Sequence, residues 1–420
     1  MACLLKRDRR DAQIRRAPLA VEHDHSIFVD KGGRLLTCGS NFGSAPVLGN
    51  AVYPASVLNV GQQIGPPTPV PSMQDRRIVS VVSGYAHCLA LSAEGEVYSW
   101  GSGAYGVLGH GDEGAGHGDE GARAVPSRIE SLSRIEHIAA GPNFTVSAVD
   151  EKGRLFTWGR AIFVDEEEEN EDGELEEIIR PSGLGYELDA ETESQATPEQ
   201  VDALSQDRVV GVALGNGFTL AVTDAGAVFS FGFSRQGGLG HGSLESEVLP
   251  RRIEALTQTR RRFVAVAAGD CHALALTDAG ELYGWGHERA NGHGREEHTP
   301  QRVAALIGQR IKLVYAQGLC SCAVTEMGEL FTWGSTRNYH LGHAEPQATP
   351  TRVARLSGVK VSAVAIGRMH MLAADADGVV WACGRRLALG LGAFCFEDCV
   401  VLVPTPTPIP TLRVRVLNSP

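Results

Sequence analysis

The sequence predicts an all-β chain folded as a seven-bladed β-propeller, and three observations lead there. A segment closing on glycine recurs seven times, at Gly39, Gly101, Gly159, Gly232, Gly286, Gly334 and Gly384, with 48 to 73 residues between closings. Each copy alternates apolar and polar residues on both sides of an acid–x–Gly turn, which is the period of a strand hairpin. No long helical period interrupts the pattern, and 50 glycines among 420 residues supply turns.

The elements follow in chain order. Residues 1–19 hold Lys6, Arg7, Arg9, Arg10, Arg15 and Arg16 and read as a basic N-terminal segment outside the fold. They lack the apolar core of a secretory signal, and Asp8 and Asp11 do not suit an import peptide. Residues 20–417 read as a single propeller with hairpins at 22–39, 84–101, 141–159, 215–232, 269–286, 317–334 and 367–384. In "GDCHALALTDAGELYGWG" (269–286) the strands Ala273–Leu276 and Glu281–Trp285 flank Asp278-Ala279-Gly280, whose glycine accepts the positive φ of a short turn. An apolar strand precedes each hairpin, as in "VVGVALG" (209–215) and "FVAVAAG" (263–269).

Ahead of that strand stands a proline-led element spaced P-x-x-[IV]-x-x-L. It occurs at Pro126/Ile129/Leu132, Pro198/Val201/Leu204, Pro250/Ile253/Leu256, Pro300/Val303/Leu306 and Pro350/Val353/Leu356. Each unit is thus a sheet of about four strands. One such sheet cannot hide both faces, whereas seven packed face to face close into a ring. The last proline-led copy, Pro406/Ile409/Leu412, is followed by "RVRVL" (413–417) and no eighth hairpin. The first unit has a short, polar leading strand. The expectation is that 413–417 pairs with the 25–38 hairpin, closing the ring and removing exposed strand edges.

Charge narrows the function. The net charge is −12, and residues 165–177 hold ten acids and no base, which leaves −2 for the rest of the chain. A broad nucleic-acid-binding face is therefore not expected. The acids Asp165, Glu166, Glu167, Glu168, Glu169, Glu171 and Asp172 sit in a loop insert at 164–199. Such a run is either a solvated segment or a dock for a basic protein partner. Nine scattered cysteines, odd in number and without zinc-like pairs, point to a reducing compartment and to no metal or other cofactor. No apolar run is long enough to span a membrane.

The string G-x-x-H-x-x-A-L, G-x-[VL]-[YF]-x-W-G, G-x-L-G-H-G resembles the regulator-of-chromosome-condensation (RCC1-like) repeat. Its full tail stands at "GSGAYGVLGHG" (101–111) and "GFSRQGGLGHG" (232–242). The resemblance covers residues 20 to 417. It implies a seven-bladed propeller, in a family that includes the nucleotide exchange factor for the GTPase Ran, ubiquitin-ligase domains, ciliary and mitochondrial proteins and a plant ultraviolet-B photoreceptor. Fold alone leaves function open among these.

The candidate residues divide accordingly. His25, His87, His272 and His370 recur at one slot, occupied near Phe144, Phe218 and Cys320 in other units. A base or ligand would not exchange with phenylalanine, so these histidines and the closing glycines read as structural. Trp100, Trp158, Trp285, Trp333 and Trp381 read as packing at the W-G position. "GSGAYG" (101–106) matches a dinucleotide-binding glycine pattern but lacks the helix and acid that such a site needs. "GHGDEGAGHGDEGA" (109–122) reads as a tail plus a seven-residue duplication in a surface loop. The exchange-factor branch places acids just before the repeat histidine; here only Asp24 and Asp270 do so, which makes Asp270 the candidate GTPase contact. The reading is a monomeric, non-enzymatic scaffold binding a protein partner in the cytosol or nucleus, with the mitochondrion as the other compartment. Guanine-nucleotide exchange on a small GTPase is the alternative.

Overall fold

Seven hairpins organise the chain in the computed structural model, which describes residues 18–22, 25–41, 46–49, 63–111, 121–169, 175–189, 192–335, 341–343, 345–385 and 402–413. Each hairpin is flanked by an inner and an outer strand, giving seven four-stranded antiparallel sheets and one separate two-stranded sheet. The inner strands are Leu19–Glu22, Ile78–Ser83, Ile135–Ala140, Val209–Leu214, Phe263–Ala268, Ile311–Gln317 and Val361–Ile366. They line a central cavity of about 220 Å³. This is a seven-bladed propeller.

The outer strands are Gln63–Pro69, Arg123–Arg128, Ser194–Gln200, Glu247–Arg252, Glu297–Arg302, Gln347–Arg352 and Leu402–Arg413. They contain the prolines of the P-x-x-[IV]-x-x-L element. Proline donates no ladder hydrogen bond, and an outermost strand is where that is tolerated. The element therefore belongs to the blade before it, and its two apolar residues descend into the joint with the next blade. Ile129, Val201, Ile253, Val303 and Val353, with their partners Leu132, Leu204, Leu256, Leu306 and Leu356, are all buried. Blade one has its own copy, Pro67/Val70/Met73, in which methionine replaces leucine.

Packing between blades makes the ring. Seven apolar clusters occupy the seven joints, each drawing residues from two neighbouring blades. The joint between blades seven and one sets Leu19, Val21 and Phe28 against Ala363, Leu372 and Val380. Four indoles reinforce the pattern. Trp100, Trp158, Trp285 and Trp333, all at 0 % exposure, donate Nε1–H to Val47, Val107, Gly238 and Ala290 carbonyls of the preceding blade, each at 2.8 Å.

Ring closure differs from the sequence expectation. Leu19–Glu22 is the inner strand of blade one and pairs with His25–Val29, whose other edge pairs with Leu35–Ser40. Leu35–Ser40 is in turn covered by Gln63–Pro69. Both edges of the first hairpin are taken, so it has no place for 413–417. Strand Leu402–Arg413 instead pairs with Val379–Arg385 inside blade seven, and 414–417 lie outside the described residues. Among the described residues the ring closes by face packing, with no strand shared between its ends.

The acidic insert also differs. Ile162–Glu169 pairs with Leu175–Pro181 as an antiparallel hairpin rather than an unpaired loop, and Ser194–Gln200 is the outer strand of blade three. Backbone pairing satisfies amides whatever the side-chain charge, which is why a charge run alone did not reveal it.

Candidate functional site

Strand direction sorts the loops onto two faces. Each inner strand runs to a tight turn, the hairpin returns, and the connection from third to outer strand leaves from the same end as that first turn. One face therefore carries the turns ahead of the repeat slot, including Gly269-Asp270-Cys271, together with every long connection: 41–62, 102–122, 161–193 and 386–401. Among the described residues the opposite face carries the hairpin turns and the 3-10 turns and one short helix, Glu254–Gln258, that bury the apolar pairs. The acidic hairpin Ile162–Pro181 rises from the first face.

The repeat slot is structural. His25, His272 and His370 share hydrogen bonds through Nε2 with Ser83, Ser321 and Ser26 of the next blade, each at 2.7 Å. Burial lowers His272 to about 3, so it is neutral at working pH. His87 is likewise held down to about 3 by burial, and its ring makes no hydrogen bond. Its ring instead stacks on Phe144 of blade three, 6.3 Å between centroids. The slot of blade three is filled by Thr145, which pairs with Gly159 as His87 pairs with Gly101. Phe144, expected near that slot, is an extra residue before it. Phe218 and Cys320 fill the slot in blades four and six, opposite Gly232 and Gly334. His272 and His370 pair with Gly286 and Gly384.

The tail histidines have the same kind of role. Ser99 Oγ donates to Leu108 O at 2.7 Å and meets His110 Nε2 at 3.0 Å; Ser230, Leu239 and His241 repeat the arrangement. Residues 112–120 of "GHGDEGAGHGDEGA" lie outside the described residues, as does Asp24. "GSGAYG" leads into a single 3-10 turn, Ala104–Gly106, and not into a helix. Trp381 does not occupy the W-G slot: Cys383 does, opposite Met371, with Trp381 two residues earlier opposite Ala373. Among the described residues no group of three His, Cys, Asp or Glu could hold a metal ion. Burial pushes the Cys271 and Cys320 thiols up, to about 11 and about 12, so neither is a ready nucleophile.

At the channel mouth four side chains from four blades meet. Arg368 Nη2–H donates to Asp270 Oδ1 at 3.0 Å, and its Nε lies 3.4 Å from Glu22 Oε1. Gln317 Nε2–H donates to Glu22 Oε2 at 2.6 Å. Glu22 is fully buried. Burial raises the Asp270 carboxyl above its ordinary value, and Arg368 pulls it back. The candidate GTPase contact is therefore engaged within the chain. Of the predicted acidic residues, Asp165–Glu169 lie on the first strand of the insert hairpin, while Glu171 and Asp172 lie outside the described residues. Sequence reasoning missed Glu22 and Arg368, because neither matches an acid-before-histidine pattern.

Comparison with known proteins agrees with this architecture. The model of the regulator of chromosome condensation (RCC1) repeat matches residues 94–148, 225–276 and 327–374. A second RCC1 repeat model matches 78–107 and 263–295. The chain is 36% identical over 330 residues to the E3 ubiquitin-protein ligase HERC2 of Homo sapiens, covering 75% of this chain and 6% of HERC2. It is 33% identical over 286 residues to the ultraviolet-B receptor UVR8 of Arabidopsis thaliana, covering 66% of this chain and 58% of UVR8. Among solved structures, Prp20p of Saccharomyces cerevisiae superposes with a TM-score of 0.68 at 22% identity, covering 96% of this chain and 89% of Prp20p. The chain thus spans a small part of HERC2 and little over half of UVR8. It belongs to the family of proteins built from RCC1 repeats.

Proposed function

We propose that this propeller is a protein-interaction scaffold that engages a basic protein partner through the face carrying the acidic hairpin. The observation supporting it is that, among the described residues, the acidic hairpin rises from the same face as the long third-to-outer strand connections. Residues 182–186 pack in the joint with blade four, where Leu184 O and Gly183 O accept from Thr157 and Thr219, but the 162–181 hairpin is a separate two-stranded sheet outside the pairing of Leu155–Arg160 with Ser194–Gln200. The charge of the excursion selects a cationic surface and steers its approach. Prp20p is described with binding to Gsp1p and histones.

Guanine-nucleotide exchange is the second reading, since Asp270 sits at the channel mouth on this face. Its bond to Arg368 argues against its use as a free acid on a GTPase. Two assays separate the readings. Affinity capture with the full chain and with residues 163–180 replaced by a short glycine-serine link should lose basic partners in the second case; unchanged partner sets would refute the scaffold reading. Release of a fluorescent GDP from a panel of small GTPases should not accelerate with added chain, and acceleration abolished by Asp270→Asn would favour exchange.

A further inference from the structure

We infer that the seam between blades two and three, on this same face, seats a cationic side chain of the partner. The inference rests on the basic-partner reading and adds where the contact is made. Blade three has one residue more than the other blades between its opening position and the repeat slot: Gly141-Pro142-Asn143-Phe144-Thr145 against Gly84-Tyr85-Ala86-His87. The added residue, Phe144, is held at φ 56, where a bulky side chain is an outlier. Tyr105 at φ 55 is different: Gln236 adopts that conformation in the equivalent turn of blade four, so it belongs to the repeat.

The added ring completes an aromatic group. Its centroid lies 5.8 Å from that of Tyr85 and 5.4 Å from that of Tyr105, both tilted. Tyr85 and Phe144 are half-buried, and the Phe144 ring also stacks on that of buried His87, 6.3 Å between centroids. The group already holds a cation. The Arg160 guanidinium lies 4.7 Å over the Tyr105 ring, tethered by Nε–H to Ile162 O at 2.8 Å and by Nη1–H to Asn143 Oδ1 at 3.2 Å. A ring of this group thus already attracts a guanidinium, as electron-rich ring faces do.

From Arg160 the chain runs directly into the acidic hairpin. Its register sets Glu167 opposite Glu177 and Glu168 opposite Glu176. Ten acids and no base at 165–177 repel one another, and a two-stranded sheet has little stability of its own. A polycation along the hairpin relieves that repulsion. The occupant is accordingly a basic peptide segment, with one arginine or lysine against Tyr85 and Phe144 and its neighbours along the hairpin.

The test is fluorescence anisotropy of a labelled alternating Arg-Gly dodecapeptide titrated with the full chain at low and physiological salt. Tyr85→Ala and Phe144→Ala should each weaken binding about tenfold, while Tyr85→Phe, which keeps the ring, should bind as wild type. Replacing 163–180 with a glycine-serine link should flatten the salt dependence. If Phe144→Ala fails to fold by thermal melt, Tyr85→Ala decides. Ring-removing variants that bind like wild type, beside a hairpin replacement that does not bind, would overturn this seam and leave the basic-partner reading standing. A wild-type chain that ignores the peptide at low salt would overturn both. A light-scattering mass of two copies that falls to one in Tyr85→Ala would assign the seam to self-association instead.

Discussion

Replacing Arg368 with methionine tests how the ring is held at its mouth. The guanidinium reaches Asp270 at 3.0 Å and Glu22 at 3.4 Å, joining blades one, five and seven, while Gln317 of blade six holds the other Glu22 oxygen. Methionine keeps much of the apolar stem but leaves a fully buried Glu22 beside Asp270 with no cation. Removing one partner of a buried pair costs about 3–5 kcal/mol. The Arg368 side chain is 31% exposed, so solvent screens part of that, and about 2–3 kcal/mol is the expected loss. With an unfolding entropy of roughly 2 cal/mol/K per residue, a chain of this size should melt about 3 °C lower. The sign with pH is also determined. Asp270 already lies above the ordinary carboxylate range because burial disfavours its charge, and Arg368 lowers it. Without Arg368 it rises further, and the folded chain then holds its proton more tightly than the unfolded chain. Stability is present below the raised value and is lost as pH rises through it. The deficit should therefore be largest at alkaline pH and shrink as the solution is acidified, read by scanning calorimetry. A loss under about 0.5 kcal/mol, or one that does not vary with pH, would refute the buried-clasp reasoning.

Three further outcomes follow from the same contacts. Gly240→Ala places a Cβ 2.8 Å from Trp285 Nε1 at φ +78, against an indole pinned to Gly238 O, and should cost about 2–4 kcal/mol in denaturant unfolding. His87→Phe, which copies Phe218 of blade four, should match or exceed wild-type stability at pH 7. It should also flatten acid unfolding, because His87 is held at about 3 and the unfolded chain takes up its proton first as pH falls below about 6.5; the slope removed is about 1.4 kcal/mol per pH unit. Replacing 163–180 should leave the melting temperature within about 1 °C, since the insert is a separate two-stranded sheet; a large drop by fluorimetry would show that it braces the ring.

What could be read from the sequence was whatever repeats. The closing glycines, such as Gly232 at φ 108 and Gly384 at φ 112, recur because the backbone conformation demands them, so they mark every blade. Blade one was harder, because Met73 stands where leucine is usual and because Glu22 made its leading strand look polar. That glutamate is buried only because Arg368 and Gln317, some three hundred residues away, meet it. No local pattern announces such a partnership, and the closure was misassigned for that reason. Phe144 was misplaced by one position because an added residue keeps its neighbours' composition and shifts only their register. The acidic run announced its charge but not its pairing, which depends on backbone geometry. The aromatic seam joins residues from two blades and three loops, a juxtaposition that only the folded ring creates.

Hydrogen exchange of the chain alone and with its captured basic partner tests the central claim most directly. The account predicts slowed exchange at 84–86, 141–144 and 162–181, with the hairpin turns at 93–95, 278–280 and 326–328 unchanged. Protection confined to those hairpin turns, with 162–181 exchanging as in the free chain, would contradict it.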